Sequence, residues 1–172
     1  MIAFQYIGAR GPAAGAIDWL SCGHLSHVDV IDTRHGRYQL VGARSDGAGG
    51  MGPGVWPRKQ GYFGNVARRL VLQLETTPEQ ERVFWRFIDG QIGLPYDHTA
   101  ILAFAFNRDW REPDSWFCSE LQQTACEVAG MVPVLYQRPN KVTPVMHSVI
   151  VQTRGAKDVT DFYPIEQIEE AA

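Results

Sequence analysis

The sequence has few cysteines, no long hydrophobic run and no large excess of charge of either sign, and each absence excludes a class of protein. Its three cysteines, Cys22, Cys118 and Cys126, are an odd number, and none of them belongs to a CxxC pair. This pattern argues against a disulfide scaffold and against a structural zinc site, although one pair of thiols could still close. We therefore expect reduced cysteines in a reducing compartment, with no metal ion and no cofactor.

The charge and the hydropathy pattern exclude further partners. The net charge of −3 at pH 7 gives no electrostatic reason to expect nucleic acid or an anionic membrane. The longest apolar run, residues 100–106, is far shorter than the ~20 residues that cross a bilayer, so no transmembrane segment is predicted. Residues 1–11 lack a charged region followed by a long apolar run, so no signal peptide is predicted and we expect synthesis in the cytoplasm.

The sequence does contain the composition of an ordinary globular domain. Apolar residues make up 45% of the chain and charged residues 20%, which is typical of a folded protein and not of a disordered one. A length of 172 residues is sufficient to bury a hydrophobic core. Because no internal repeat and no linker-like break is visible, we expect a single domain over residues 1–172.

The segment around Cys118 is the most informative part of the sequence. Residues 116–130, WFCSELQQTACEVAG, change from two aromatics to a helical pattern directly after this cysteine, and Gly130 marks the end of the pattern. Cys118 would then lie at a helix N-terminus, where free N–H groups and the helix dipole favour an anion such as a thiolate. Since most free cysteines are simply small buried hydrophobes, a partner base is needed before Cys118 is interpreted as a nucleophile.

The remaining pattern predicts strands before the cysteine helix. A strand begins at His27, turns at residues 34–37 and returns as a second strand over residues 38–43. The glycine-rich segment SDGAGGMGPGVWPR, residues 45–58, lacks the spacing of a phosphate loop and is interpreted as a mobile loop beside a site. The other predicted elements are strands over residues 2–7 and 65–74, helices over residues 16–23, 77–90 and 143–150, and an apolar helix or buried segment over residues 99–106.

A base for Cys118 would most readily be a histidine, because its pKa lies near neutrality. The chain has five, namely His24, His27, His35, His98 and His147. His27 is the favoured candidate, since a residue at the start of a strand is rigid and close to the end of a sheet, where it can meet a helix N-terminus. His24 is the reserve candidate; His35 is expected in a solvated turn, and His98 and His147 are expected to cap or to bond locally.

Three short segments carry a family resemblance. They are SHVDV at residues 26–30, GLPYD at residues 93–97 and WFCSEL at residues 116–121. In this order they resemble the NlpC-type papain-like cysteine hydrolases, in the circularly permuted branch that includes the YiiX-like bacterial hydrolases and the lecithin:retinol acyltransferase-like enzymes. The glycine-rich stretch is also similar in style to small hydrolase-like proteins encoded by bacteriophages. The resemblance implies an α+β, papain-like fold with a small antiparallel sheet packed against the cysteine helix.

The same resemblance implies the roles of individual residues. Cys118 would be the nucleophile, His27 the general base, and a polar residue on the strand after His27 would orient the imidazole. Here the sequence departs from the family, because the position of the YiiX-like glutamate falls on Gly42. The shorter acyltransferase-like spacing falls on Gln39, whose amide oxygen can accept a hydrogen bond from an imidazole N–H. We therefore expect Gln39 as the orienting residue, with a water or a backbone carbonyl as the alternative.

The resemblance implies a cysteine hydrolase or acyltransferase that works through an acyl-enzyme. The expected bond is an amide in a peptide or acyl substrate, with peptidoglycan peptides as the expected target, and an ester or a thioester stays open. The alternative is a weak or inactive structural module of the same fold, for example in a phage particle or a cell-wall assembly; the missing family glutamate favours it and the intact Cys118 and His27 oppose it. A metal site of His24, His27 and Asp29 is less favoured, because HxxH does not place two imidazoles on one face of a strand.

Overall fold

The structure is a computed structural model that describes residues 1–8, 24–36, 38–64, 66–97, 115–135 and 141–164. The helix predicted over residues 16–23 and the apolar segment predicted over residues 99–106 lie outside these ranges. The described chain forms an α+β fold in which a six-stranded antiparallel sheet packs against three helices. The predicted α+β class is confirmed, whereas the sheet is larger than the small one expected.

The sheet has the strand order β4-β3-β2-β1-β5-β6, and every neighbouring pair is antiparallel. Strands β2 and β3 form the hairpin predicted around His27, with Val30 opposite Val41 and Asp32 opposite Gln39. The strands are β1 (Ile2–Gly8), β2 (His27–Asp32), β3 (Gln39–Arg44), β4 (Gly54–Lys59), β5 (Arg68–Leu74) and β6 (Lys157–Asp158).

Strand β4 is an element that sequence patterns missed. It begins at Gly54 and contains Pro57, so most of it lies within residues 45–58, which were predicted to be a mobile loop. Glycine and proline both lower strand propensity, which is why this segment was interpreted as a loop. In the structure β4 is the outermost strand on its side of the sheet, a position where a proline can be accommodated because one edge of the strand needs no ladder hydrogen bonds.

The three helices begin at recognisable caps. In α1 (Pro78–Gln91) the Thr77 hydroxyl accepts from the backbone N–H of Gln80, and the Gln80 side chain accepts from the backbone N–H of Thr77. This capping box confirms the predicted helix start. The other two helices are α2 (Cys118–Val128), which begins at the cysteine as predicted, and α3 (Pro144–Thr153), which runs slightly beyond its predicted end.

The larger hydrophobic core lies between the helices and one face of the sheet. Val28 and Val30 on β2 belong to this core together with Leu121 and Ala125 on α2. A smaller cluster, which includes Ile31, covers the opposite face. Because side chains alternate along a strand, His27 and Asp29 lie on the same side of β2 as Ile31.

Candidate functional site

Cys118 is the first residue of α2, and several contacts hold this end of the helix in place. The backbone N–H of Phe117 donates to the Glu120 carboxylate at 3.4 Å, which closes a cap at the helix start. The Ser119 hydroxyl donates to the carbonyl of Val142 at 2.6 Å. One turn further, the Gln122 amide donates to the carbonyl of Val41 on β3 at 3.0 Å. The thiol of Cys118 is therefore fixed relative to the sheet, and the residue is only 1% exposed.

The GLPYD segment of the family resemblance contacts the two aromatic residues that precede this helix start. Tyr96 and Trp116 form a β-bridge, with the N–H of Asp97 donating to the carbonyl of Trp116 at 3.0 Å. The ring of Tyr96 lies 6.0 Å from that of Phe117. Burial and then the charge of Cys118 raise the pKa of Tyr96 well above its ordinary value, so this phenol next to the cysteine stays neutral. The GLPYD segment thus forms one wall around Cys118.

His27 is the first residue of β2, so its ring lies at the end of the sheet, which the start of α2 also reaches. The ring is nearly buried, with 7% of the residue exposed. Its Nε2 lies 2.9 Å from Oδ1 of Asp29, two residues along the same strand. The spacing of two places both side chains on one side of the strand, so the carboxylate that contacts His27 comes from its own strand.

The structure brings Cys118 and His27 together. Burial alone lowers the pKa of His27, but the charges of Asp29 and Cys118 and a side-chain hydrogen bond to each of them outweigh burial and raise it to about 9. For Asp29, burial raises the pKa, and His27 with Tyr62 more than reverses this, so the net pKa lies below its ordinary value. The favoured charge state is therefore an imidazolium next to a carboxylate, which is the state that stabilises a neighbouring thiolate.

Gln39 does not meet His27. It lies at the far end of β3, exposed and paired with Asp32 and Lys59. Asp29 takes the position next to the imidazole that was expected for Gln39. Sequence reasoning placed the third residue on the strand after the histidine because the family resemblance does so, and it did not consider that the histidine strand could supply the carboxylate itself.

Gly42 explains how Asp29 fits. It lies on β3 next to the Asp29 carboxylate, and a Cβ placed there would be 2.1 Å from Oδ1 of Asp29 and 3.2 Å from the carbonyl oxygen of Val28. The space beside Gly42, where the family resemblance led us to look for a glutamate, is thus occupied by a carboxylate from the neighbouring strand. A side chain at residue 42 and the observed Asp29 rotamer exclude each other sterically.

Tyr62, which follows β4, completes the polar cluster. Its hydroxyl donates to Oδ2 of Asp29 at 2.7 Å and lies 3.1 Å from Nε2 of His27. The guanidinium of Arg44 donates to the same hydroxyl at 3.3 Å and forms a bidentate ion pair with Asp46. We name these residues, His27, Asp29, Tyr62 and Arg44, the histidine cluster.

Arg58 links the histidine cluster to the glycine-rich loop. This arginine is 1% exposed, and its guanidinium lies 5.6 Å from the centroid of the Tyr62 ring. Its N–H groups donate to five backbone carbonyls, those of Gly42, Ala48, Gly52, Gly54 and Trp56. A planar donor with five N–H groups suits such a role. The loop that was predicted to be mobile is therefore tied by hydrogen bonds to the site it flanks.

A second cysteine–histidine contact lies in the core. Sγ of Cys126 is 3.9 Å from Nε2 of His147, whose Nδ1 lies 2.7 Å from the hydroxyl of Tyr6. Burial lowers the pKa of His147 to about 3 and raises that of Cys126 well above its ordinary value. His147 was expected to cap or bond locally, but its hydrogen bond to Tyr6 joins it to a residue near the other end of the sequence.

Asp29, Tyr62, Arg44 and Arg58 are site residues that sequence reasoning missed. The His-x-Asp spacing on a predicted strand was a usable signal for Asp29, because alternation alone places both side chains on one side. Tyr62 carried no such signal, since its contact depends on where the chain runs after β4. Within the described ranges, no group of three or more His, Cys, Asp or Glu residues has the arrangement of a metal site. None of the helices in these ranges is long and apolar enough to cross a membrane.

Comparison with known proteins supports the fold. No family model and no curated protein matches the chain. Among solved structures, the chain is similar to the metalloprotein YiiX from Escherichia coli O157:H7, with a TM-score of 0.56 and 19% sequence identity. The alignment covers 74% of this chain and 64% of that one, so this chain spans less than two thirds of its structural neighbour. At this identity the similarity shows a shared fold, as the YiiX-like resemblance predicted, and nothing about activity.

Proposed function

We propose that this protein is a cysteine hydrolase in which Cys118 is the nucleophile and His27 its acid–base partner. The observation that carries the proposal is the position of His27 between Cys118 and the buried carboxylate of Asp29. A nucleophile, a base that contacts it and a third group that orients the base are the arrangement required for covalent acyl transfer. The proposal includes the fold that the family resemblance implies, a circularly permuted papain-like arrangement.

The proposed reaction assigns one nitrogen of His27 to each partner. Nε2 is bonded to Asp29 and lies next to Tyr62, so Nδ1 is the nitrogen that serves Cys118. The thiolate attacks the carbonyl carbon of an amide, and the tetrahedral intermediate collapses as the C–N bond breaks and Nδ1–H of His27 protonates the leaving amine. A water molecule then attacks the thioester while Nδ1 takes its proton, which releases the acid and restores the thiolate–imidazolium pair.

The proposed substrate class is an amide in a peptide, with peptidoglycan peptides first. This choice comes from the family resemblance, and the same chemistry would cleave an ester or a thioester. The backbone N–H of Cys118, at the start of α2, is the natural donor to the oxyanion, because the first N–H groups of a helix have no partner within it. We likewise propose, from the same resemblance, that the protein acts in a phage particle or a cell-wall assembly.

The second candidate is an inactive structural module of the same fold. It is favoured by the burial of the pair, since Cys118 is 1% and His27 7% exposed and a substrate needs a path to the thiol. The absence of glutamate at Gly42 no longer supports this candidate, because Asp29 supplies a carboxylate at the imidazole.

The deciding experiment is the pH dependence of Cys118 ionisation in the wild type and in His27→Ala. The ultraviolet absorbance of the thiolate, measured as the difference between each protein and its Cys118→Ser version, reports ionisation without requiring a reagent to enter. Alkylation by iodoacetamide, with the modified residue located by mass spectrometry, reports access. An unperturbed thiol ionises near pH ~8.5.

In the wild type we expect the Cys118 thiolate to form well below pH ~8.5 and the rate of Cys118 alkylation to rise over the same pH range. In His27→Ala we expect neither the early thiolate nor the early alkylation. A thiol that ionises normally in both proteins would eliminate the hydrolase proposal. A thiolate that forms early but resists iodoacetamide would support the inactive module.

A further inference from the structure

The Tyr62 hydroxyl occupies a position that the proposed reaction does not yet use. Its oxygen is 2.7 Å from Oδ2 of Asp29, 3.1 Å from Nε2 of His27 and 3.3 Å from Nη1 of Arg44. A phenol has one proton to donate and an oxygen that accepts. The shortest contact, to the carboxylate, takes the proton, and the oxygen then accepts from Arg44 and from Nε2–H of His27. The hydroxyl hydrogen therefore faces an acceptor, and the hydroxyl oxygen faces two donors.

This pattern fixes which nitrogen of His27 carries a proton. Both neighbours of Nε2, the Asp29 carboxylate at 2.9 Å and the Tyr62 oxygen at 3.1 Å, act as acceptors. Nε2 must therefore be protonated, and only Nδ1 is left to exchange a proton with Cys118. A ring flip would give up both bonds at once, so the two acceptors together oppose it more strongly than Asp29 alone.

The Tyr62 ring is itself held in place by charge. The guanidinium of Arg44 lies 5.2 Å from its centroid and that of Arg58 lies 5.6 Å away, both within cation–π range. Burial, followed by the charge of Asp29, raises the pKa of Tyr62 well above its ordinary value, so the phenol keeps the proton that it donates. Asp46 also faces the histidine cluster, and its hydrogen bonds to Arg44 lower its pKa to about 2.

We propose that Tyr62 is a positioning residue that locks the Asp29 carboxylate and the His27 ring in the orientation that presents Nδ1 to Cys118. This inference rests on the proposed function and extends it to a residue outside the cysteine, histidine and carboxylate. Among the described residues, the hydrogen-bond partners of the hydroxyl are His27, Asp29 and Arg44, so in this proposal Tyr62 acts through His27 and Asp29.

The test compares Tyr62→Phe with Tyr38→Phe. Both substitutions remove one tyrosine hydroxyl that makes a hydrogen bond, and both leave an aromatic ring that packs on its neighbours; the Tyr38 hydroxyl donates to the carbonyl of Pro164 at 2.9 Å and its ring packs on Tyr163. The readouts are the pH profile of Cys118 alkylation and the pH titration of the His27 ring by ¹⁵N NMR. Circular dichroism checks that each variant is folded.

We expect Tyr62→Phe to reduce the alkylation rate at mildly acidic pH by about tenfold to a hundredfold, the scale of one hydrogen bond to a charged group. The His27 titration should move with it, and Tyr38→Phe should match the wild type. A Tyr62→Phe profile that superimposes on the wild type, with an unchanged His27 titration, would overturn the proposal and leave Tyr62 as packing.

Failure of the proposed function is distinguishable from failure of this inference. If wild-type Cys118 shows no early ionisation, the hydrolase proposal fails, and the His27 titration in Tyr62→Phe still decides whether the hydroxyl holds the ring. If Tyr62→Phe does not fold, Arg44→Gln removes a donor to the hydroxyl and keeps the tyrosine. We expect that variant to shift the His27 titration in the same direction by a smaller amount, and an unchanged titration would overturn the proposal.

Discussion

Helix α2 carries two cysteines, each in contact with a histidine, and the two pairs have opposite electrostatics. At the start of the helix, the pKa of His27 is raised to about 9. About two turns further, the pKa of His147, next to Cys126, is lowered to about 3. Both histidines are buried, so burial does not distinguish them. The difference lies in the partner of the other ring nitrogen, which is the carboxylate of Asp29 for His27 and the hydroxyl of Tyr6 for His147.

This comparison shows that a cysteine next to a histidine is insufficient for a reactive pair. A neutral hydroxyl does not offset the cost of burying an imidazolium, whereas a carboxylate does. The contact between Cys126 and His147 is therefore one between neutral groups inside the core. Of the two pairs, only the one at Cys118 contains a histidine whose raised pKa favours the imidazolium.

The largest expected effect comes from Asp29→Asn, which should make His27, next to Cys118, neutral like His147, next to Cys126. An amide can still bond to Nε2 but carries no charge, so the pKa of His27 should fall and the early ionisation of Cys118 should be lost. We expect alkylation at mildly acidic pH to slow on the order of a hundredfold or more, with Gln39→Ala, on the same hairpin but away from His27, unchanged. Equal profiles for Asp29→Asn and the wild type would contradict the role given to Asp29.

The two histidines should also affect stability in opposite directions as pH changes. The raised pKa of His27 contributes stability that is present below its ordinary value of 6.5 and is lost as pH rises to about 9. The lowered pKa of His147 costs stability as pH falls below 6.5 toward 3. At about 1.4 kcal/mol per pKa unit, the contribution is on the order of 3 kcal/mol for His27 and on the order of 5 kcal/mol for His147.

Urea unfolding at a series of pH values measures both contributions. Compared with the wild type, His27→Gln should flatten the alkaline side of the stability profile and His147→Gln the acidic side down to about pH 4, below which protonation of Asp29 also contributes. If each variant flattened the other side, the assignment of the two charge states would be reversed.

A smaller effect is expected from Gly42→Ala, which adds one methyl group next to Asp29. The clash at 2.1 Å with Oδ1 should displace the carboxylate from His27, cost about 1–3 kcal/mol of stability and raise the pH at which Cys118 ionises. Gly52→Ala is the matched control, because a Cβ at Gly52 meets nothing within 4 Å and its carbonyl bond to Arg58 is kept. Thermal unfolding and thiolate absorbance measure the two effects, and identical behaviour of both variants would contradict the steric argument.

The smallest effect is expected from Tyr6→Phe in the core pair. Loss of the hydroxyl leaves Nδ1 of His147 without its bond at 2.7 Å and should cost about 1 kcal/mol of stability. The pH profile of Cys118 should not change, in contrast to the effect expected of Tyr62→Phe. We expect the two cysteine–histidine pairs to be independent, and a change in the pH profile of Cys118 would contradict this by showing that they are coupled through α2.

Sequence reasoning anticipated the local features of the fold well. The helix beginning at Cys118, the capping box at Thr77 and the hairpin that follows His27 all depend on residues close together in sequence. Strand β4 was missed because glycine and proline weaken the strand pattern, and its pairing with β3 is what stabilises it. The YiiX-like fold was expected from three short segments, and the structural similarity bears out that level of description.

The amino-acid pattern alone was enough to predict the cysteine at a helix start and the histidine at a strand start, because each follows from local periodicity and capping. The family resemblance added the α+β class. The amino-acid pattern did not identify Asp29 as the carboxylate that stabilises the protonated form of His27. That depends on an empty space at Gly42 into which Asp29 turns, and on a hydroxyl that Tyr62 brings from beyond β4. Contacts between separate strands are set by register and packing, and only the folded chain brings the carboxylate, the phenol and the two arginines around one imidazole.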